Sequence, residues 1–215
     1  MNGRFITFEG GEGVGKSTQI VLLADHLRSL GYSVRTLREP GGTPIGEEIR
    51  HTLKHSQANA AMTAETELLL MSASRAQLVR EVIRPALAAG ELVLCDRFYD
   101  STVAYQGHGR GLGLNLVRNA IDIAVGDTRP NLTLLLVVRT GVGDERLQQR
   151  RAAAPGVRDR IEESGSAFFD RVDAGYAAIA AAEPHRVRTV EASGEITAVS
   201  EAIWRLVRPI LPTAP

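Results

Sequence analysis

The chain has 215 residues, 44% of them hydrophobic, with 25 acidic and 25 basic side chains interspersed to a formal net charge of zero. This is enough for one domain with a sizeable core, and it lacks a basic stripe for a nucleic-acid backbone, a run near the roughly 18 apolar residues of a membrane span, and a leader-like apolar start. The single cysteine, Cys95, excludes an intrachain disulfide, and no Cys/His cluster has zinc-ligand spacing, so we expect a cytoplasmic protein acting on small molecules.

Residues Phe5 to Phe8 form a short apolar run closed by a glycine-rich turn, and Ile20, Leu23, Leu27 and Leu30 then follow at helical spacing up to Gly31. Ser33 to Leu37 reads as a second strand. Ala64 to Ala89 reads as a long helix that Pro85 must kink or break. Leu92 to Cys95 is a third strand, Leu116 to Val125 a helix, and Leu132 to Val138 a strongly apolar buried strand. Residues 148–166 fit neither period and carry Arg150, Arg151, Arg158 and Arg160, which suggests a movable lid. Val187 to Val190 is a fifth strand before a helix from Ile196 to Ile210, and the LPTAP ending reads as a frayed tail. Alternating strands and helices of this kind predict a parallel sheet with helices on both faces, its ligands at the carboxyl ends of the strands.

Between the first strand and first helix, Gly10, Gly11, Glu12, Gly13, Val14, Gly15, Lys16 and Ser17 match G-x-x-x-x-G-K-[ST] at every specified position, with Thr18 following. Glycines let backbone N–H groups turn around phosphate oxygens, and the helix start adds its positive dipole end. Lys16 is placed for the β- and γ-phosphates of ATP and the Ser17 hydroxyl for Mg²⁺. These features predict a P-loop NTPase fold. Lysine occurs only at 16 and 54, so the chain has no N-K-x-D segment for reading guanine, which argues against a GTP switch.

Leu92-Val93-Leu94-Cys95-Asp96-Arg97 puts an acid and a base at a strand end, Asp96 for Mg²⁺ and Arg97 between donor and acceptor phosphates. Such a site needs cations, because two like charges at 4 Å repel by about 4 kcal/mol in an effective dielectric near 20. Arg38, Arg50 and Arg75 are further candidates, although 23 of the 25 basic residues are arginine and any one alone carries little information.

The segments FEGGEGVGKST, TLREPGGTPIGEEIR, ASRAQ, DRFYDSTVAYQGHGRGL and DRIEESGSAFFDRVDAGY, in this order through nearly the whole chain, resemble the signature segments of bacterial thymidylate kinases. The resemblance implies one domain over residues 1–215, with five parallel strands and an arginine-bearing lid near 148–166. It also implies ATP-dependent phosphorylation of dTMP to dTDP with Mg²⁺, and a homodimer. Residue by residue, it implies that Arg38 and Glu39 begin the acceptor loop, that Arg50 and Arg97 hold the acceptor phosphate, and that Arg75 meets the thymine edge. Tyr105 is expected to crowd the 2′ position, Ser101 and Gln106 to contact the base or nearby phosphate, and Glu12 to face the acceptor sugar. The phosphate loop carries no arginine, so Arg150 and Arg151 are expected to close over ATP. Met71 stands where relatives usually have an aromatic residue, which replaces ring stacking on thymine by a softer sulfur contact.

The acceptor monophosphate is largely deprotonated at neutral pH, so transfer requires positioning and charge stabilisation but no general base. Two other readings stay open on the sequence. A deoxynucleoside kinase would use a carboxylate such as Glu39 as base, and an ATP-dependent switch would hydrolyse ATP without an acceptor.

Overall fold

The computed structural model describes residues 3–139, 143, 146, 148, 160, 161 and 163–213. Five strands, β1 (Arg4–Glu9), β2 (Val34–Arg38), β3 (Leu92–Asp96), β4 (Leu132–Val137) and β5 (Val187–Glu191), form one sheet in the order β2-β3-β1-β4-β5. Every pairing is parallel. Because β1 lies between β3 and β4, the chain runs from the sheet centre first to one edge and later to the other. The crevice this reversal opens lies beyond the carboxyl ends of β1 and β3.

Alternation along the strands separates two apolar layers. Ile6, Phe8, Leu92, Leu94 and Leu134 face α1 (Lys16–Ser29) and α8 (Ile196–Val207), meeting Leu23, Leu27 and Ile203. Phe5, Val93 and Cys95 face the other way, onto α3 (Ala64–Leu78) and α6 (Leu114–Val125), meeting Leu68, Leu78, Val117 and Ile121. Leu135 and Val187 complete a third cluster with Phe168, Val172 and Tyr176 of α7 (Ser166–Ala182).

The long helix expected over residues 64–89 stays continuous past Pro85. After α3 the chain widens into a π-helical stretch, Val79–Ile83, and runs on as α4 (Arg84–Ala88) with right-handed helical angles at both junctions, and this widened turn precedes Pro85, which has no N–H to donate. Helix α2 (Pro44–Lys54) also starts on a proline, and the Thr43 hydroxyl caps it by accepting from the Gly46 amide at 3.0 Å. A short helix α5 (Tyr99–Thr102) runs directly into a second π-helical stretch, Val103–Gly109. The tail is anchored further than its composition suggests: Tyr32 donates its hydroxyl to the Pro212 carbonyl at 2.9 Å, and Leu211 packs on the core.

Candidate active site

The loop from Gly10 to Gly15 links β1 to α1 in a conformation that only glycine adopts without strain at key points. Gly10 has φ of 126°, and a Cβ there would stand 2.2 Å from the Leu136 carbonyl oxygen; Gly13 has φ of 73°. Lys16 opens α1 and folds back so that its ammonium donates to the Gly10 and Gly11 carbonyls at 3.1 and 2.6 Å. It is 7% exposed, and burial first, with Arg97 second, pulls its pKa down to about 8. Beside it the Ser17 hydroxyl donates to Asp96 Oδ2 at 2.9 Å, which joins the start of α1 to the end of β3.

Arg97, immediately after β3, has φ of 68°, the one non-glycine residue with positive φ among those described. Its guanidinium is held by four acceptors. Nη2 donates to Glu12 at 2.7 Å, while Nη1 donates to the Gly10 carbonyl, the Ser101 hydroxyl and the Tyr176 hydroxyl at 3.0 to 3.2 Å. The Tyr105 ring lies beneath the guanidinium, 5.1 Å away. Arg97 in turn holds the Glu12 carboxyl down to about 2, against the opposing effect of its burial.

Two clefts meet at this pair. The larger is lined by Glu12 to Gln19, Arg38, Arg50 and Asp96 on one side and by Arg146, Ala192, Gly194 and Ile196 on the other. Thus Val14, Gly15 and Thr18 lie where a nucleotide triphosphate is expected. The smaller, an open cleft of about 580 Å³, brings together Glu39, Met71, Arg75, Ser101, Tyr105 and Gln106, all expected from the sequence at an acceptor site. Pro40, Thr102, Ile161 and Phe169 add to its walls. Glu12, Glu39, Lys54 and Arg97 line both clefts.

The smaller cleft has a floor of buried, mutually bonded side chains. Arg75 and Glu39 form an ion pair at 2.7 Å, 2% and 4% exposed, and Arg75 also donates to the Thr102 hydroxyl and the Phe98 carbonyl. Burial raises the Glu39 pKa, with Arg75 acting against it. Burial also pushes the Tyr105 hydroxyl up to about 12, so it stays protonated at neutral pH. Arg38 and Arg50, from β2 and α2, both reach the Pro40 carbonyl, and Arg38 pairs with Glu47.

A buried carboxylate that the sequence pattern did not single out supports this floor. Glu9, at the end of β1, accepts from the Phe98 amide, the Ser101 hydroxyl and the Tyr176 hydroxyl at 2.6 to 2.9 Å. Burial, and then the neighbouring Asp100, raise its pKa to about 7 against the pull of Arg97. Asp100 is paired on both oxygens with Arg186 at 2.7 and 2.9 Å. Arg146 and the 192–196 stretch of the larger cleft were also not anticipated; they come from segments with no motif. Lys54 did carry a signal, as one of only two lysines. Arg150 and Arg151 lie outside the described residues, as do Arg158 and most of 148–166.

Residues 8–203 match the family model described as Thymidylate kinase. A thymidylate kinase of Alcanivorax borkumensis is 49% identical over 96% of this chain and 97% of its own length. One of Syntrophotalea carbinolica is 47% identical over 93% of each chain. The crystal structure of thymidylate kinase from Ehrlichia chaffeensis superposes with a TM-score of 0.77 at 32% identity, covering 97% of this chain and 99% of that one. A family model spanning residues 8–203 and matches along nearly the full length of several such enzymes establish that the chain belongs to the thymidylate kinase family.

Proposed function

We propose that the larger cleft holds ATP, that the smaller holds dTMP, and that the γ-phosphoryl passes between them to give ADP and dTDP. The observation that supports this reading is the sharing of Glu12, Glu39, Lys54 and Arg97 by both clefts, since two phosphate ends held in them would meet beside the Arg97 guanidinium. Lys16 draws the β- and γ-phosphates, and Arg97 bridges the two nucleotides. Arg50 and Arg38, which line the larger cleft beside the shared residues, neutralise the acceptor phosphate where the two clefts join. Arg75 and Gln106 meet the base, Met71 packs on it, and Tyr105 stands at the sugar. Arg150 and Arg151 are assigned the closing cation over ATP.

Mg²⁺ fits this donor set: Ser17 and Asp96 present a hydroxyl and a carboxylate 2.9 Å apart at the loop, leaving the remaining coordination to phosphate oxygens and water. Bound there with ATP, it supplies charge neutralisation on the transferring phosphoryl group. The exposed apolar side chains Leu69, Leu116 and Ile123 on the adjoining helices α3 and α6 support a homodimer, checked by sedimentation. A cytoplasmic location matches the nucleotide substrates.

The test is a coupled ADP-release assay with ATP and Mg²⁺ across the nucleoside monophosphates and thymidine. We expect turnover on dTMP and little ADP without an acceptor. Faster turnover of thymidine than of dTMP indicates a nucleoside kinase, and acceptor-independent hydrolysis indicates a switch; either result overturns the assignment.

A further inference from the structure

Glu67, on α3, is a fully buried carboxylate at the back of the acceptor cleft. Its Oε1 accepts from Gln106 Nε2 at 2.7 Å and from Arg110 Nε at 3.3 Å. Its Oε2 accepts from Arg110 Nη2 at 3.1 Å and pairs with Arg160. With two guanidinium groups on it, Glu67 offers acceptors only. A glutamine amide presents a donor end and an acceptor end of nearly equal shape, so its neighbours decide which end points where. Turning Gln106 over would set its carbonyl against a buried carboxylate, acceptor against acceptor. Gln106 also lines the acceptor cleft.

We propose that Glu67 is a positioning residue for base selection: by engaging the Gln106 amide nitrogen, it turns the Gln106 carbonyl toward the acceptor base. This rests on the reading, given above, that Gln106 meets the base. A carbonyl at that place welcomes a base whose ring nitrogen N3 carries hydrogen, as in thymine, and opposes one whose N3 is an acceptor, as in cytosine. Arg75, with donors only, lines the same cleft and favours a carbonyl at position 4 over an amino group. Glu67 thereby sets half of a two-part pattern from outside the cleft.

The test is a double-mutant cycle read as the ratio of kcat/KM for dTMP over dCMP. Gln106→Met is expected to lower the ratio about tenfold or more, and Glu67→Gln, which can donate to a reversed amide, about tenfold with KM for ATP unchanged. In the Gln106→Met background, Glu67→Gln is expected to change the ratio less than about twofold. If Gln106→Met leaves the ratio intact, base contact by Gln106 fails and the proposal with it. If Gln106→Met lowers the ratio but Glu67→Gln does not, or the two effects add, the base contact stands and the role of Glu67 is overturned. Should Glu67→Gln fail to fold by circular dichroism, the wild-type Gln106 side-chain amide is followed by ¹⁵N NMR. Its protons are expected to exchange slowly with and without dTMP, and rapid exchange in both states refutes the proposal.

Discussion

The Glu12 carboxylate accepts from Arg97 Nη2 at 2.7 Å, and this pair stands at the junction of the two clefts. Glu12 belongs to the phosphate loop and Arg97 to the end of β3, so one contact ties the loop to the strand end. Three further acceptors on Nη1 leave the guanidinium no alternative direction. Arg97→Lys keeps the charge but cannot span four acceptors arranged around a planar fork. We expect kcat on dTMP to fall about 100-fold with a smaller change in KM for ATP, measured by steady-state assay. A fall of less than about threefold would show that charge without geometry is sufficient.

The backbone at Arg97 provides a second check. At φ of 68° an arginine sits in the left-handed region, which costs a non-glycine residue about 1–2 kcal/mol. Glycine ordinarily destabilises relative to alanine by about 0.5–1 kcal/mol through its freer unfolded chain. Here the order should reverse: Arg97→Gly is expected to be more stable in urea than Arg97→Ala by about 1 kcal/mol, with both variants inactive. The usual order would mean that the loop relaxes once the side chain is gone.

Much of this site was legible because its parts are local. The phosphate loop is eight consecutive residues, and the strand ends fell within about one residue of the observed ones because apolar runs bounded by glycine or charge are short-range signals. Pro85 showed that the helix after residue 64 must kink or break, though not that it would stay continuous through a π-helical stretch. What stayed hidden is non-local. Glu9 meets Tyr176 across 167 positions and Asp100 meets Arg186 across 86, so nothing in the surroundings of either acid announces its partner. Among 23 arginines, the one that locks Asp100 is distinguished only by the fold. Helix α7 was missed as a helix although its signal is local: Phe168, Val172, Tyr176 and Ile179 recur at helical spacing and form its buried face.

The ion pair between Arg75 and Glu39 is nearly inaccessible to solvent, so its halves cannot be removed separately without leaving a charge in an apolar setting. Arg75→Met is expected to cost about 3–5 kcal/mol of unfolding free energy and to weaken dTMP binding. Arg75→Met with Glu39→Met should recover most of that stability while the affinity stays low. If the double variant is as unstable as the single one, packing of the guanidinium over Phe98, 5.4 Å from the ring centre, matters more than its charge.

Glu9 and Glu12 give the stability curve opposite slopes in different pH ranges. Burial, then Asp100, raise Glu9 from 4.5 to about 7, so between these values the folded chain holds a proton that the unfolded chain has lost. That contribution favours folding below pH 4.5 and is lost as pH rises through 7. Arg97 lowers Glu12 to about 2, so its contribution is present above pH 4.5 and is lost as pH falls toward 2. Glu9→Gln should therefore flatten the dependence of unfolding free energy on pH between 4.5 and 7 and leave the acid limb unchanged. An unaltered slope between 4.5 and 7 would assign that proton to another group.

Lys16 makes ATP binding itself pH-sensitive. Without nucleotide its ammonium rests on two loop carbonyls, and burial, with Arg97 adding to it, brings its pKa to about 8. Triphosphate oxygens arriving at the same place favour the charged form, so the pKa in the complex is higher than in the free chain. Above pH 8, binding must then take up a proton, and ATP affinity should fall about tenfold per pH unit. Calorimetry in two buffers of different ionisation enthalpy measures that uptake directly, approaching one proton near pH 9. Lys16→Arg, charged throughout this range, should bind ATP with no proton uptake; uptake that persists in this variant would place the titrating group elsewhere in the cleft.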